Sequence, residues 1–91
     1  MPIILRLTSP LRPLAEGKDQ LTVPGETVGD ALEAAAALYP ALRPRLFDRT
    51  GALRSEMRVY VNDDLARLHE GLETPVAEGD QVVLIAPLAA G

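Results

Sequence analysis

The residues best suited to chemistry stand at the end of the chain, where Ala86-Pro87-Leu88-Ala89-Ala90-Gly91 follows the apolar run 82–85. A glycine has no side chain to obstruct attack at its carbonyl, and its backbone adopts dihedral angles closed to other residues. Such an end is suited to a partner enzyme that threads Leu88, Ala89 and Ala90 into a narrow channel and activates the carboxylate of Gly91, although the terminal glycine taken alone favours the inert alternative. The alternative is an inert chain end, which is the ordinary fate of terminal residues.

The side chains offer little catalysis of their own. His69 is the single histidine, and beside Glu70 it lacks the nucleophile and orienting acid that a general base needs. Asp63, Asp64 and Asp80 lack the spacing of a calcium loop, and aspartate favours turns for its own hydrogen-bonding reasons. We predict that the chain is not an enzyme, binds no metal or cofactor, and enters chemistry as a substrate or carrier.

Composition narrows the class of protein further. The 91 residues, 47% of them hydrophobic, suffice for one small domain with a core. With no cysteine, disulfides and zinc–thiolate sites are excluded, which is compatible with a cytoplasmic protein. No apolar stretch resembles a signal peptide or a membrane span. A net charge of −4, with two tyrosines and one phenylalanine as the aromatic residues, argues against nucleic-acid binding.

One part of this acidic chain is basic. Five arginines cluster in it: Arg43, Arg45, Arg49, Arg54 and Arg58. They form either a patch that docks on an acidic partner or a solvated loop. We favour the solvated loop, because arginines scattered through loops commonly serve solubility.

The first half of the chain predicts a hairpin. Residues 3–7 form an apolar strand, and Pro10 and Pro13 after it predict a loop. Residues 20–23 predict a second strand that pairs with the first.

A helix follows the hairpin. Thr27 is a good N-cap residue, and Asp30 stands where a capping box has its acid. Pro40 ends the helix. Apolar residues at helical spacing define its buried face: Val28, Leu32, Ala35 and Tyr39.

The second half predicts further strands. One more turn of helix is expected after Pro44. Apolar residues then alternate with polar ones from Met57 to Val61, a strand with one buried face, and residues 65–68 predict a short edge strand. Leu72 and Val76 are expected to fill the core.

The last strand, 81–86, starts from a turn at Glu78-Gly79-Asp80 and is apolar on both faces, so it belongs in the middle of a sheet. A helical crossover makes the first and last strands parallel neighbours. The predicted fold is therefore α+β of the β-grasp type, with a mixed four- or five-stranded sheet and one main helix packed on one face. Residues 1–87 form the single domain and residues 88–91 a flexible tail.

Segment 72–91, with its threonine, Gly-Asp turn, apolar strand, proline and terminal glycine, resembles the carboxyl end of the ubiquitin-like sulfur carriers of the MoaD/ThiS type. Segments 25–32 and 59–64 resemble that family's helix start and its strand and turn, so the resemblance covers nearly the whole chain in order. The family norm is a terminal Gly-Gly, whereas Ala90 stands here at the penultimate position. A methyl group there adds bulk and restricts the backbone.

The resemblance implies that a ubiquitin-activating-type adenylyltransferase uses MgATP to adenylate Gly91, which a sulfur donor then converts to a thiocarboxylate. The sulfur would pass to a cysteine synthase or to the large subunit of molybdopterin synthase, and segment 45–48 slightly favours the cysteine-type carrier. Val83, Ile85 and Leu88 are the expected docking residues, unless they are ordinary sheet core. The alternatives are a non-reacting β-grasp interaction module and a protein modifier joined to lysines through Gly91.

Overall fold

The computed structural model describes residues 2–62, the backbone of residues 64 and 65, and residues 71–86. Its centre is one mixed sheet of five strands in the order β2-β1-β5-β3-β4. The strands are β1 (Pro2–Leu7), β2 (Gln20–Pro24), β3 (Arg58–Val61), β4 (Asp64–Leu65) and β5 (Gln81–Ile85). The predicted β-grasp sheet is confirmed, in its five-stranded form.

The hairpin predicted at the start of the chain is present, because β1 and β2 pair antiparallel from Pro2↔Pro24 to Arg6↔Gln20. The connection between them differs from the prediction, since Ser9–Ala15 is a 3-10 helix rather than a loop. Pro10 sits in its first turn, where a missing N–H costs nothing. Leu11 and Ala15 are fully buried, and that burial stabilises the short helix.

The crossover helix α1 (Val28–Leu38) begins at the predicted N-cap, with the Thr27 hydroxyl accepting a hydrogen bond from the Asp30 N–H at 3.1 Å. The Asp30 carboxylate accepts from the N–H of Glu26, one residue before the cap, so the capping box is shifted by one position. The helix ends before Pro40 as predicted. Its buried residues are Val28, Ala31, Leu32, Ala35 and Ala36, whereas Tyr39 lies half-buried just beyond the helix.

A 3-10 turn (Pro40–Leu42) and the one-turn helix α2 (Arg43–Leu46) lead from α1 toward β3. The helical turn predicted after Pro44 includes that proline and starts at Arg43, because proline suits a first turn. The backbone at Asp64 and Leu65 forms the edge strand beside β3. Residues 66–68 of the predicted edge strand lie outside the described residues, as does the predicted boundary at residue 87.

The core lies between the sheet and the helices. Buried residues of β1, β2, β3 and β5 form one cluster with buried residues of α1, α2 and both 3-10 segments, and half-buried Leu72 and Val76 pack against it. In the described part of the chain, α1, α2 and the two 3-10 segments with buried residues therefore lie on the same face of the sheet. No helix in the described residues is long and apolar enough to cross a membrane.

Candidate functional site

The central strand β5 carries the chain toward its carboxyl end. It pairs parallel with β1 and antiparallel with β3, so it has a hydrogen-bonded neighbour on each side, as its apolar sequence predicted. Parallel pairing with β1 runs from Ile4↔Gln81 to Leu7↔Leu84. The described part of the chain thus ends just after the central strand of the sheet, which is paired on both sides.

Thr8 fastens the end of β5. Its hydroxyl donates to the carbonyl oxygen of Leu84 at 3.1 Å and accepts from the N–H of Ala86 at 3.3 Å. Ala86 is 7% exposed, so the chain remains part of the packed domain up to that residue. We call Thr8 and Ala86 the root of the tail. Sequence reasoning missed Thr8, because nothing in its neighbourhood shows that its partners lie at the other end of the chain.

The beginning of β5 is fastened by a polar network. The Asp80 carboxylate accepts from the N–H of Ala77 at 2.8 Å and from the side-chain amide of Asn62 at 3.0 Å. The Asn62 side-chain oxygen accepts from the N–H of Gln81 at 3.0 Å. These donors hold the pKa of Asp80 below its usual range, mainly through the Ala77 N–H and then through Asn62. Asp80 therefore stabilises a turn, as its sequence context indicated.

The face of the sheet opposite the helices is partly apolar. Val82 and Leu84 are fully buried in the core, and alternation along the strand turns Val83 and Ile85 to the other face. Val83 is half-buried and Ile85 is 38% exposed. Neither belongs to the core cluster, so their surroundings are those of a surface. Docking at these two residues stays a prediction, and Leu88 lies outside the described residues.

Two cations flank this apolar surface. Arg6 of β1 and Tyr60 of β3 stand beside Val83 in register, and Arg58 of β3 stands beside Ile85. Both arginines are exposed, and neither has an ion-pair partner in the described part of the chain. We call the set Tyr60, Val83 and Ile85, with its two flanking arginines, the open sheet face.

Several residues singled out by the sequence lie beyond the described part of the chain. Gly91, Ala90 and Ala89 lie outside the described residues, and so do His69 and Asp63, so their roles stay predictions. Among the residues that the structure describes, no group of His, Cys, Asp or Glu side chains could hold a metal ion.

The segment that precedes β5 contains Thr74, the threonine of the carboxyl-terminal sequence pattern. Thr74 is 6% exposed, and its carbonyl oxygen accepts from the N–H of Val28 at the start of α1. Next to it, Pro75 forms an isolated bridge with Thr27. The conspicuous residues of the carboxyl-terminal pattern thus tie the last strand to the helix start and to β3.

Comparison with known proteins gives the family of the chain. The family model described as ThiS family matches residues 5–91. The chain belongs to the ThiS family. Among its relatives, "Sulfur carrier protein CysO" from Mycobacterium tuberculosis is 31% identical over the full length of both chains. "Small archaeal modifier protein 1" from Haloferax volcanii is 38% identical over 65 residues, 71% of this chain and 70% of that protein.

Solved structures confirm the fold. A chain in the crystal structure of the Amycolatopsis orientalis BexX/CysO complex superposes with a TM-score of 0.89 at 26% identity, covering 98% of this chain and 99% of that one. The similarity therefore extends over almost the whole length of both chains.

In this ThiS-family chain hydrogen bonds hold β5 at both of its ends. The rigid strand β5 is fixed at its start by Asp80 and Asn62 and at its end by Thr8. The open sheet face lies beside the root of the tail, because Ile85 directly precedes Ala86.

Proposed function

We propose that this protein is a sulfur carrier whose Gly91 carboxylate is converted to a thiocarboxylate by partner enzymes. The observation that carries the proposal is the match of residues 5–91 to the ThiS family, together with the full-length relative named a sulfur carrier. The proposal takes Gly91 as the carboxyl terminus of the working protein.

Activation is required because a carboxylate is a poor electrophile. A partner adenylyltransferase joins the Gly91 carboxylate to AMP from MgATP, and pyrophosphate leaves. A sulfide nucleophile then forms a C–S bond to the Gly91 carbonyl carbon while the bond from that carbon to the AMP oxygen breaks. If the donor is a persulfide, the first product is an acyl disulfide, which a thiol must reduce by two electrons to give the thiocarboxylate.

This chain's own contribution is to bind and to present. The open sheet face offers apolar contacts from Val83 and Ile85, and Arg6 and Arg58 offer charge at its border. The root of the tail fixes the point from which residues 87–91 reach into the partner's channel. Leu88, Ala89 and Ala90 are the residues that would line the tail inside that channel.

The sulfur acceptor is proposed by similarity. The full-length relative is named CysO, so we propose a cysteine synthase as the acceptor, with the large subunit of molybdopterin synthase as the second choice. No step in this scheme requires a cofactor bound to the described domain. The cytoplasm is the compartment proposed for it.

The proposal is tested by mixing the chain with the adenylyltransferase encoded in the same genome, MgATP and sulfide. Intact-mass analysis is expected to show the increase that replacement of one oxygen by sulfur produces. A chain lacking Gly91 is the matched control and should keep its mass. An unchanged mass for the full chain, with an enzyme proven active on another carrier, would overturn the proposal.

A second function has a specific observation in its favour, namely the similarity to the protein named small archaeal modifier protein 1. A modifier uses the same adenylate but transfers Gly91 to lysine amines. It predicts isopeptide-linked products in the lysate of the producing cell, and these products should disappear when residues 89–91 are deleted. A non-reacting interaction module, which Ala90 makes credible, predicts neither a sulfur-dependent mass change nor such products.

A further inference from the structure

The charge of this chain is unevenly distributed. Residues 40–58 hold five arginines and two acidic residues, a net charge of +3, whereas the rest of the chain holds four basic and eleven acidic residues, a net charge of −7. A basic region on a protein that is acidic overall creates a local field of opposite sign, and such fields govern how partners approach.

The basic region is a built structure rather than a loose loop. Leu42 and Leu46 are fully buried and Phe47 is 5% exposed, so the backbone that bears the arginines is anchored in the core. Phe47 also pairs with Leu53 across an isolated bridge. The arginines are therefore displayed on a fixed frame, which lowers the entropy lost when a partner binds.

Asp48 organises the loop inside this frame. Its carboxylate accepts from the Thr50 hydroxyl at 2.6 Å and from the N–H groups of Thr50 and Ala52 at 2.8 and 3.1 Å. These hydrogen bonds, led by the Thr50 hydroxyl, hold the pKa of Asp48 below its usual value. The carboxylate is occupied by the loop, and among the described residues it pairs with no arginine.

Besides Arg58, which belongs to the open sheet face, the arginines fall into two groups of two. Arg43 forms an ion pair with Glu33 at 2.6 Å and lies over the ring of Phe47. Arg54 donates to the carbonyl oxygen of Pro44 at 2.6 Å. These two line a shallow cleft of about 530 Å³ together with Arg49 and Phe47.

Arg45 and Arg49 form the second group. Both are exposed, and neither has a hydrogen bond or ion pair in the described part of the chain. We define the basic surface as Arg43, Arg45, Arg49 and Arg54. Two of its guanidinium groups are held by hydrogen bonds or an ion pair, and the other two make no such contact with the described residues.

One member of the basic surface, Arg54, is close in the chain to the open sheet face. Arg54 precedes Arg58 by four residues, so the chain between them spans at most about 14 Å. Arg58 stands beside Ile85 in the sheet, and Ile85 directly precedes the root of the tail. An enzyme that docks at Ile85 is therefore close to Arg54, the member of the basic surface nearest to Arg58 in the chain.

We propose that the basic surface is a second docking surface. It binds a carboxylate-rich surface on the adenylyltransferase that activates the tail. The identity of that partner rests on the proposed function. Guanidinium groups suit carboxylates because they form paired, charge-assisted hydrogen bonds. Complementary charge at the border of an interface mainly accelerates association and selects the partner.

The direct test uses a ten-residue glutamate peptide titrated into the isotopically labelled full chain at low salt, followed by backbone and arginine side-chain NMR. The expected result is a set of shifts confined to residues 43–54, lost in the double variant R45E/R49E. The matched control is R12E/K18E, which has the same net charge and keeps the basic surface. Since each disrupted charge contact weakens binding by about tenfold, the control should bind at least about tenfold more tightly than R45E/R49E.

Three outcomes would overturn the proposal. The peptide could produce no shifts, or it could shift Arg6 and Arg12 as strongly as residues 43–54. Alternatively, the chain alone could self-associate in sedimentation through the same arginines, in which case a second copy is the occupant. The titration involves no chemistry at Gly91, so its failure is distinct from failure of the thiocarboxylate assay.

Steady-state kinetics of the adenylyltransferase with this chain as substrate separates docking from chemistry. R45E/R49E should raise the KM for the chain and leave kcat unchanged, and added salt should produce the same effect on the original chain. A fall in kcat at constant KM would contradict a docking role.

Discussion

Asp80 shows how a single residue of the sequence pattern serves the site. It sits in the Gly-Asp turn that the sequence marks, and its carboxylate joins the turn at Ala77 to Asn62 at the end of β3. The sequence indicates the turn. It does not reveal Asn62 as the partner, because 18 residues separate the two in the chain.

The lowered pKa of Asp80 predicts a particular dependence of stability on pH. Its stabilisation is fully present above the unfolded pKa of about 4 and is lost as the pH falls through the lower folded pKa. Asp80→Asn should therefore flatten the acid side of the stability profile. Urea unfolding across a pH series measures this. Asp19→Asn is the control, because it removes a carboxylate that has no described side-chain hydrogen bond, and it should leave the dependence of stability on pH unchanged. If Asp80→Asn also leaves that dependence unchanged, the Asp80 carboxylate does not stabilise the turn.

At the scale of elements, β5 is useful because it is fixed at both ends. Thr8 makes two hydrogen bonds at its carboxyl end. The turn before the strand contains Gly79 with a φ of 87°, a left-handed conformation natural to glycine. Between these points the strand is buried on one side and open on the other. The carboxyl end of the strand is thus held by the Thr8 side chain as well as by strand pairing.

Thr8→Val tests whether the Thr8 hydroxyl holds the end of β5, since it removes the hydroxyl and keeps the shape of the side chain. With two hydrogen bonds lost at about 1 kcal/mol each, the free energy of unfolding should fall by about 1–2 kcal/mol. Hydrogen exchange at the Ala86 amide should accelerate. Thr22→Val makes the same change on β2, where no described hydrogen bond is lost, and should have little effect. Unchanged exchange at Ala86 in Thr8→Val would show that the root is held in another way.

The open sheet face makes a second prediction at this scale. Ile85→Ser should raise the KM of the adenylyltransferase for the chain by about tenfold or more, because burial of an isoleucine side chain contributes about 1.5–3 kcal/mol. Leu38 is the other large exposed hydrophobic residue among those described, 58% exposed at the end of α1. Leu38→Ser is therefore the matched control and should leave KM unchanged; equal effects of both substitutions would argue against docking at this face.

At the scale of the whole molecule, the fold could be predicted further than the site. Periodicity and turn residues indicated β1, β2, α1, β3 and the central place of β5, since each shows its burial pattern locally. The 3-10 helix Ser9–Ala15 was not predicted, because its prolines favour a loop and its stability comes from burial of Leu11 and Ala15 against distant elements. Thr8 was missed for the same reason.

The arginines illustrate the same limit. Their clustering is visible in the sequence, yet the sequence favours a solvated loop. The frame around Asp48, the buried Phe47 and the proximity to the root of the tail emerge only when the chain is folded. Charge pattern suggests a partner, and packing is needed to show that the charges are held in place.

The central claim is that Gly91 is the reacting residue of a domain that performs no catalysis. The most direct measurement is top-down fragmentation of the chain after reaction with the adenylyltransferase, MgATP and sulfide. The account predicts that every fragment carrying Gly91 gains the mass difference between sulfur and oxygen, and that no other fragment changes. An unmodified chain with a competent enzyme, or a mass change in fragments that lack Gly91, would contradict it.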